Sequence, residues 1–590
     1  MGFADERFVS LAGSLVSGRL SRRDLLKRSA ILGLAVPVSG ALLSACGDDD
    51  DDEPDAPAAD PDDDDDDDHD DAADDSDPDD DEDPDDDDSD DTDDHEGEGV
   101  YGGSLNDAIP GELPSHDPHT TTAAVANHVL SHMYEYLFTY DADMEVQPDL
   151  AESIDVADDG LSVTLKIREG IEFHNGEPLT ADDVIASIER WGELSARAGI
   201  IPEVATLTAA DDHTIEWELT DPIGPLQHML ARQNQGCTIH PSSVIDEVGT
   251  SVIEDTEYYI GTGPYQFDDY QPDRHFKVVR YDNYVSHPGE TSGYYGQKHL
   301  YLDEIYFIPV PDEASRIAGL QAGDYHYVST LHADNFERLD DDPNVVPRQL
   351  PPQGWAVFVL NMREGLMTDQ TLRSAVQATF CSEPMLIAAY GSDWYALDPS
   401  VMVGAPAWYS TRGEEYYNQC DPDKGWELAE EAGYDGEPIR WVVTQEYQEH
   451  FDYTAVGAQQ LEDAGFDIDL QIYDWATLTE IRNTPGDYEL ATTGHTFRPE
   501  PLALTFVPGP EHDGWWDTPD KNALSEELQR ESEHEARFAI WEDIQQLFYE
   551  EVPRIKIGDR IQMHAMSANL RGWTETVHLQ VSHVNHWLEG

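Results

Sequence analysis

Basic side chains are scarce in this chain. It has 32 Lys and Arg, seven of them Lys, against 125 Asp and Glu, so its 590 residues carry a formal charge of −93. So acidic a chain is repelled by phosphate backbones, which excludes nucleic acid as a partner. Cysteine is also rare, at four residues: Cys46, Cys237, Cys381 and Cys420. With Cys46 assigned to an N-terminal signal, the remaining three cannot all pair, so no disulfide framework is expected, although one bridge involving Cys237 or Cys381 stays open. Catalytic motifs are missing too. There is no GxSxG and no phosphate-cradling glycine loop. His128 and His132 have the i, i+4 spacing of a zinc pair, but no Glu stands beside His128 as HExxH requires, so a packed helix is expected. His116-Asp117-Pro118-His119 is read as a loop, since spacing places no third ligand near it. No catalytic residue, metal ligand or cofactor is therefore expected.

What is present begins with export. Ser21-Arg22-Arg23-Asp24-Leu25 precedes an apolar run from Ala30 to Leu43 and then Leu43-Ser44-Ala45-Cys46. This looks like a twin-arginine signal (1–45) ending at a lipoprotein cleavage site, with Cys46 the lipidated residue. The run is about fourteen residues, short of the twenty or so that span a bilayer; an uncleaved anchor helix is the alternative. Residues 46–98 hold 35 acidic residues and no Lys, Arg or aromatic, which predicts an extended, disordered tether rather than a built calcium loop. Residues 99–590 remain acidic, with 87 acidic against 26 basic side chains, a net of −61. Such repulsion is tolerable where molar salt shortens the Debye length to about 3 Å, so a halophile's protein is expected, archaeal given the export route.

The most informative stretch is Leu161–Trp191. Val163, Leu165 and Ile167 alternate with polar residues as in a half-buried strand, Gly170 and Asn175-Gly176 supply turns, and Thr180 with Asp183 forms a capping box. Val184, Ile185, Ile188 and Trp191 then share one helical face. The segment resembles the pattern TFxLRxGVxFHDGxPLTAxDVxxSLER of the peptide/nickel-type (family 5) extracellular solute-binding proteins of ABC importers. The resemblance continues in register through Tyr101–Leu105, Leu113–Pro118, Gln147–Ser153, Gly261-Thr262-Gly263-Pro264-Tyr265, Arg280–Tyr284, Ala318–Asp324 and Leu461–Trp475. A long acidic helix is expected over Asn522–Glu551, with Leu524, Leu528, Phe538, Trp541, Ile544 and Phe548 on one face.

The resemblance implies an α/β, periplasmic-binding-protein-like fold of three lobes, of the large peptide-binding class (type II), with a hinge and an interlobe ligand cleft. Lobe I would comprise 99–140, 244–350 and 560–590, lobe II 141–243 and lobe III 351–559. It also implies a monomer that captures a peptide or related small organic solute by closure and delivers it to a membrane permease and ATPase. The candidate ligand-binding residues are Thr262, Trp355, Asn361, Trp394, His495, Phe497, Arg498 and Glu500. In Asp487–Leu502 the family's Trp is replaced by His495, and its amine-binding Asp by Phe497 or Arg498; a cationic Arg498 suits an anionic or carbonyl-rich group, and Glu500 is the acid that could replace the Asp. An oligosaccharide, anionic solute or metal chelate is the alternative ligand. A secreted metal-dependent hydrolase and a structural surface protein are the alternatives of other classes.

Overall fold

The computed structural model describes residues 99–590 except 158, 196–197, 199–203 and 574–580; the expected signal, Cys46 and the acidic tether lie outside the described residues. Among the described residues no helix is long and apolar enough to cross a membrane.

Three sheets carry the architecture. The first has seven strands drawn from distant parts of the chain, in the spatial order Val345–Gln349, Met563–Ser567, Tyr327–Leu331, Ser104–Ile109, Glu304–Pro309, His275–Arg280 and Tyr265–Gln271. Ser104–Ile109 pairs parallel with both of its neighbours, so it is covered on both edges. The second has four antiparallel strands, Ala151–Val156, Ser162–Ile167, Thr214–Leu219 and Val204–Asp211. The third runs Tyr395–Ala396, Arg554–Arg560, Gly354–Leu360, Leu490–Thr496, Ile439–Thr444 and Ile468–Tyr473. Its central strand, Gly354–Leu360, is buried at every residue, as a strand covered on both faces must be.

Local chemistry sets these elements. In Ser162–Ile167 the alternate residues Val163, Leu165 and Ile167 are buried, and the helix Ala181–Leu194 begins at Thr180 with the expected capping box. Asp183 Oδ2 accepts from the Thr180 backbone N–H at 2.8 Å and from its hydroxyl at 2.7 Å, satisfying groups that the helix start would otherwise leave open. Val184, Ile188 and Trp191 are buried while Ile185 is half-buried. The core under this helix is continuous with Trp355, Trp408 and Trp541 of the later chain, so the second and third sheets share one apolar interior. Each such large side chain contributes about 1.5–3 kcal/mol by leaving water.

One expectation is corrected. The helix expected over Asn522–Glu551 is two helices, Pro519–Arg530 and His534–Glu551. Arg537 is the physical reason: its Nη1 donates to Leu528 O and Glu531 O, capping carbonyls that a continuous helix would use itself, while Glu531 Oε1 accepts from the N–H groups of Ser532 and Glu533. Gly224 also seats its N–H on Gln529 O at 2.6 Å, and an added Cβ there would meet Glu531 O at 1.8 Å. The apolar periodicity runs through the break because both helices pack on the same core.

Of the cysteine alternatives left open, the bridge that uses Cys381 is the one present. Cys381 and Cys420 form a disulfide with Cα atoms 4.3 Å apart, leaving Cys237 as a buried thiol that burial pushes up in pKa. The bridge joins the end of the helix Gln370–Thr379 to the start of Pro422–Ala432, which Asp421 caps. It closes a separation of 39 residues. Constraint of the unfolded chain then contributes about 2–4 kcal/mol. Replacing both cysteines by serine is expected to cost that amount in denaturant unfolding, and reductant should reproduce the loss in the unaltered chain alone; equal midpoints would refute it.

Candidate functional site

The third sheet delivers the site residues through one close approach. Gly354 lies between Thr496 and Arg560 in the register, and a Cβ on it would sit 2.1 Å from His495 O. Only glycine lets the strands close there. Beyond this point the backbone is cross-tied: Phe497 N–H donates to Gln353 O at 2.8 Å and Gln353 N–H to Arg560 O at 3.1 Å. Three chain segments therefore hold fixed positions, and Arg498 and Arg560 emerge from two of them.

A cavity of about 150 Å³ opens here, lined by Gln353, Thr496, Phe497, Arg498, Pro499, Arg560 and Gln562 and, from the other side, by Ala124, Gln233 and Asn234. Its lining holds two guanidinium groups, four carboxamides and no carboxylate. In so acidic a protein that is a local reversal of sign. Arg498 Nη1 donates to Thr496 Oγ1 at 2.7 Å and to Phe497 O at 2.8 Å, which fixes its stem while the group stays half-buried.

Arg560 and Gln562 are also shared with a second cavity of about 290 Å³. Its walls bring Glu313, Thr330 and His332 against Tyr390, Trp394, Glu449 and Asp452. Arg560 Nη1 stands 3.9 Å from Glu449 Oε1 at the junction. Thr330 is β-branched yet has φ +56°, a strained conformation that marks this wall as over-determined by its surroundings. Arg316 Nη2 holds it by donating to Thr330 O at 3.0 Å. The two cavities thus share the wall of Arg560 and Gln562 and, taken together as a groove, have a cationic, amide-rich end and an acidic, aromatic end.

The sequence-derived candidates divide. Phe497 and Arg498 line the first cavity and Trp394 the second. Trp355, Asn361, Thr262 and Glu500 are buried and line neither. Trp355 packs against His495 with ring centroids 4.7 Å apart, and burial holds the His495 imidazole well below its usual pKa. Asn361 ties a turn, donating to Tyr488 O and accepting from the N–H groups of Arg363 and Glu364. Thr262 sits in the turn packed on the Met133 backbone. Glu500 is taken by the buried Arg537, so no ammonium group of a ligand can use it where it stands. Arg560, Gln562, Gln353, Gln233 and Asn234 went unread in the sequence. No motif marks them, because only the register of the third sheet and the packing of 233–234 across the groove bring them together.

The family model described as bacterial extracellular solute-binding proteins, family 5 Middle, matches residues 145–508. A probable peptide ABC transporter periplasmic-binding protein of Sinorhizobium fredii is 27% identical over 484 residues, covering 77% of this chain and 88% of that protein. Among solved structures, the ABC transporter substrate-binding protein CtaP of Listeria monocytogenes superposes with TM-score 0.71 at 21% identity, over 83% of this chain and 99% of its own. The oligopeptide-binding protein AppA of Bacillus subtilis, in complex with a nonapeptide, does so with TM-score 0.65 at 20% identity, over 84% and 100%. The fold is the multidomain α/β fold of periplasmic-binding proteins, and the chain belongs to the extracellular solute-binding proteins of family 5, the substrate-binding components of ABC importers.

Proposed function

We propose that the chain captures a peptide, or a related small organic solute carrying an anionic group, in the groove between the first and third sheets and presents it to a membrane permease by closure. The observation that carries this reading is the groove itself: its second cavity sets Thr330, Leu331 and Met563 of the first sheet against Arg560 of the third, its first is closed by Ala124, Gln233 and Asn234, and the two meet at Arg560 and Gln562. Residues 99–140, 244–350 and 560–590 would move as one lobe, 351–559 as another, with 141–243 packed on the latter through the shared core. Arg498 and Arg560 favour a carboxylate or similar group at their end, since guanidinium pairs with planar anions in bidentate fashion. A lipid on Cys46, following a twin-arginine signal, would hold the monomer at the outer membrane face, with the acidic tether as spacer. The net charge of −61 suits a working medium of molar salt.

The test is titration of peptides and anionic small solutes at molar KCl, read by melting curves and calorimetry. A ligand at 100 times its Kd adds about 2.7 kcal/mol to the native state. Arg498→Ala and Arg560→Ala each remove a charge-assisted contact of about 1.5–3 kcal/mol, a roughly 10- to 150-fold weaker Kd, while both melt as the parent does. Unchanged affinity in both variants removes the groove's cationic end from the account, and a neutral sugar binding as tightly as a peptide replaces the ligand class.

A further inference from the structure

The i, i+4 pair His128 and His132 sits on the helix Ala124–Leu130 and the turn after it, beneath the first sheet and outside the groove. The fold supplies what the local sequence lacked. Asp107 arrives from the strand Ser104–Ile109 and His583 from the far end of the chain, so that side-chain donor atoms of Asp107, His128 and His583 all lie within 4.8 Å of one another. His128 Nε2 and His583 Nε2 stand 2.6 and 2.8 Å from the same oxygen, Asp107 Oδ2. Asp107 Oδ1 is buried and has no partner. Among the described residues, the groups paired with this fully buried carboxylate are the two imidazoles, and no Lys or Arg is among them.

A buried carboxylate is costly unless it is fully paired, and an unpartnered buried oxygen adds to that cost. We infer that Asp107, His128 and His583 supply three ligands of a structural site for a divalent transition-metal ion of the zinc class, with Asp107 Oδ1 a longer, secondary contact and the fourth position left to a water. Two imidazole nitrogens and a carboxylate are the donor set such an ion takes at about 2.0–2.2 Å. Tetrahedral ligands then stand about 3.3 Å apart, so outward shifts of a few tenths of an ångström open the position. The surroundings orient the ligands. His132 Nδ1–H donates to His128 O at 2.9 Å and its Nε2 accepts from the His583 backbone N–H at 3.0 Å, so His132 positions both ligands and is itself used up. His586 Nδ1 lies 3.1 Å from His583 Nδ1, fixing that ring through its second nitrogen. Burial makes the role structural: the ion would clamp the C-terminal segment to the first strand and helix.

The experiment uses the full chain at molar salt, stripped with chelator and reloaded with zinc or with cobalt(II). The expected result is one tightly held equivalent, a raised melting temperature and the intense visible bands of nitrogen-ligated tetrahedral cobalt(II). Asp107→Asn and His128→Gln should abolish the bands. Ions on the acidic tether give only pale, all-oxygen spectra, so pale spectra with an unchanged melting temperature overturn the site. Should the variants fail to fold, zinc-edge absorption of the unaltered chain decides: two imidazole nitrogens uphold the site, and an all-oxygen shell overturns it.

Discussion

Arg190→Ala is expected to destabilise the protein by about 3–5 kcal/mol, measured by denaturant unfolding in molar salt, because it strands a carboxylate in the interior. Asp117 Oδ2 accepts from Arg190 Nη2 at 2.5 Å and Oδ1 from Nη1 at 3.2 Å. Asp117 also accepts from the backbone N–H groups of His119 and Ile253, each at 3.1 Å. Arg190 is equally committed, donating to Gly249 O and Ser251 O at 2.9 Å. Both side chains are almost wholly buried, so salt screens them little. Arg190→Lys should lose most of the same energy, since an ammonium group cannot serve the fork of acceptors around it. A loss below 1 kcal/mol in either variant would show that the pair does not hold the helix Ala181–Leu194 to the loop at Asp117.

That pair marks how far the sequence could be read. The capping box, the strand before it and the buried face of Val184, Ile188 and Trp191 were legible because each depends on neighbours within four residues. The burial of Arg190 on the same helix was not, since its partner lies 73 residues away. Arg498 was legible as a departure from a family pattern; Arg560 was not, because it reaches the groove only through pairing with Gly354. Glu500 was misjudged for the converse reason. Its neutralising partner Arg537 belongs to the break in a helix that periodicity showed as continuous. The Asp107, His128 and His583 cluster lies further still beyond local reading, with Asp107 and His583 separated by 476 positions in the chain.

Acid should unfold the protein while most of its carboxylates are still charged, and buried imidazoles are a cause. His174 joins the Asn175-Gly176 turn within Leu161–Trp191 to Gly261-Thr262-Gly263: its Nε2–H donates to Gly263 O at 3.0 Å and its Nδ1 accepts from the Gly261 N–H at 3.2 Å. A carbonyl can only accept and an amide only donate, so the neutral tautomer is fixed and a second proton would break the contact. His119 is held alike, donating from Nε2 to Thr238 O at 2.9 Å while Nδ1 accepts from Arg190 at 3.1 Å. Burial pushes both down to about 4, and burial, followed by the nearby Arg537 and His534, pushes His228 down to about 3. The folded values lie below the unfolded value near 6.5, so the unfolded chain binds protons first. Stability is therefore whole above pH 6.5 and falls as pH drops toward 4. By about pH 4 each group accounts for roughly 3 kcal/mol, and three together approach the 5–15 kcal/mol total of a typical domain. Unfolding in molar salt is expected between pH 4 and 6, with proton uptake in step with the loss of structure. His174→Gln, which can still donate to Gly263 and cannot charge, should move the midpoint to lower pH even if it weakens the protein at pH 7. Stability that stays level from pH 7 to pH 5 would mean these imidazoles are not what limits the fold in acid.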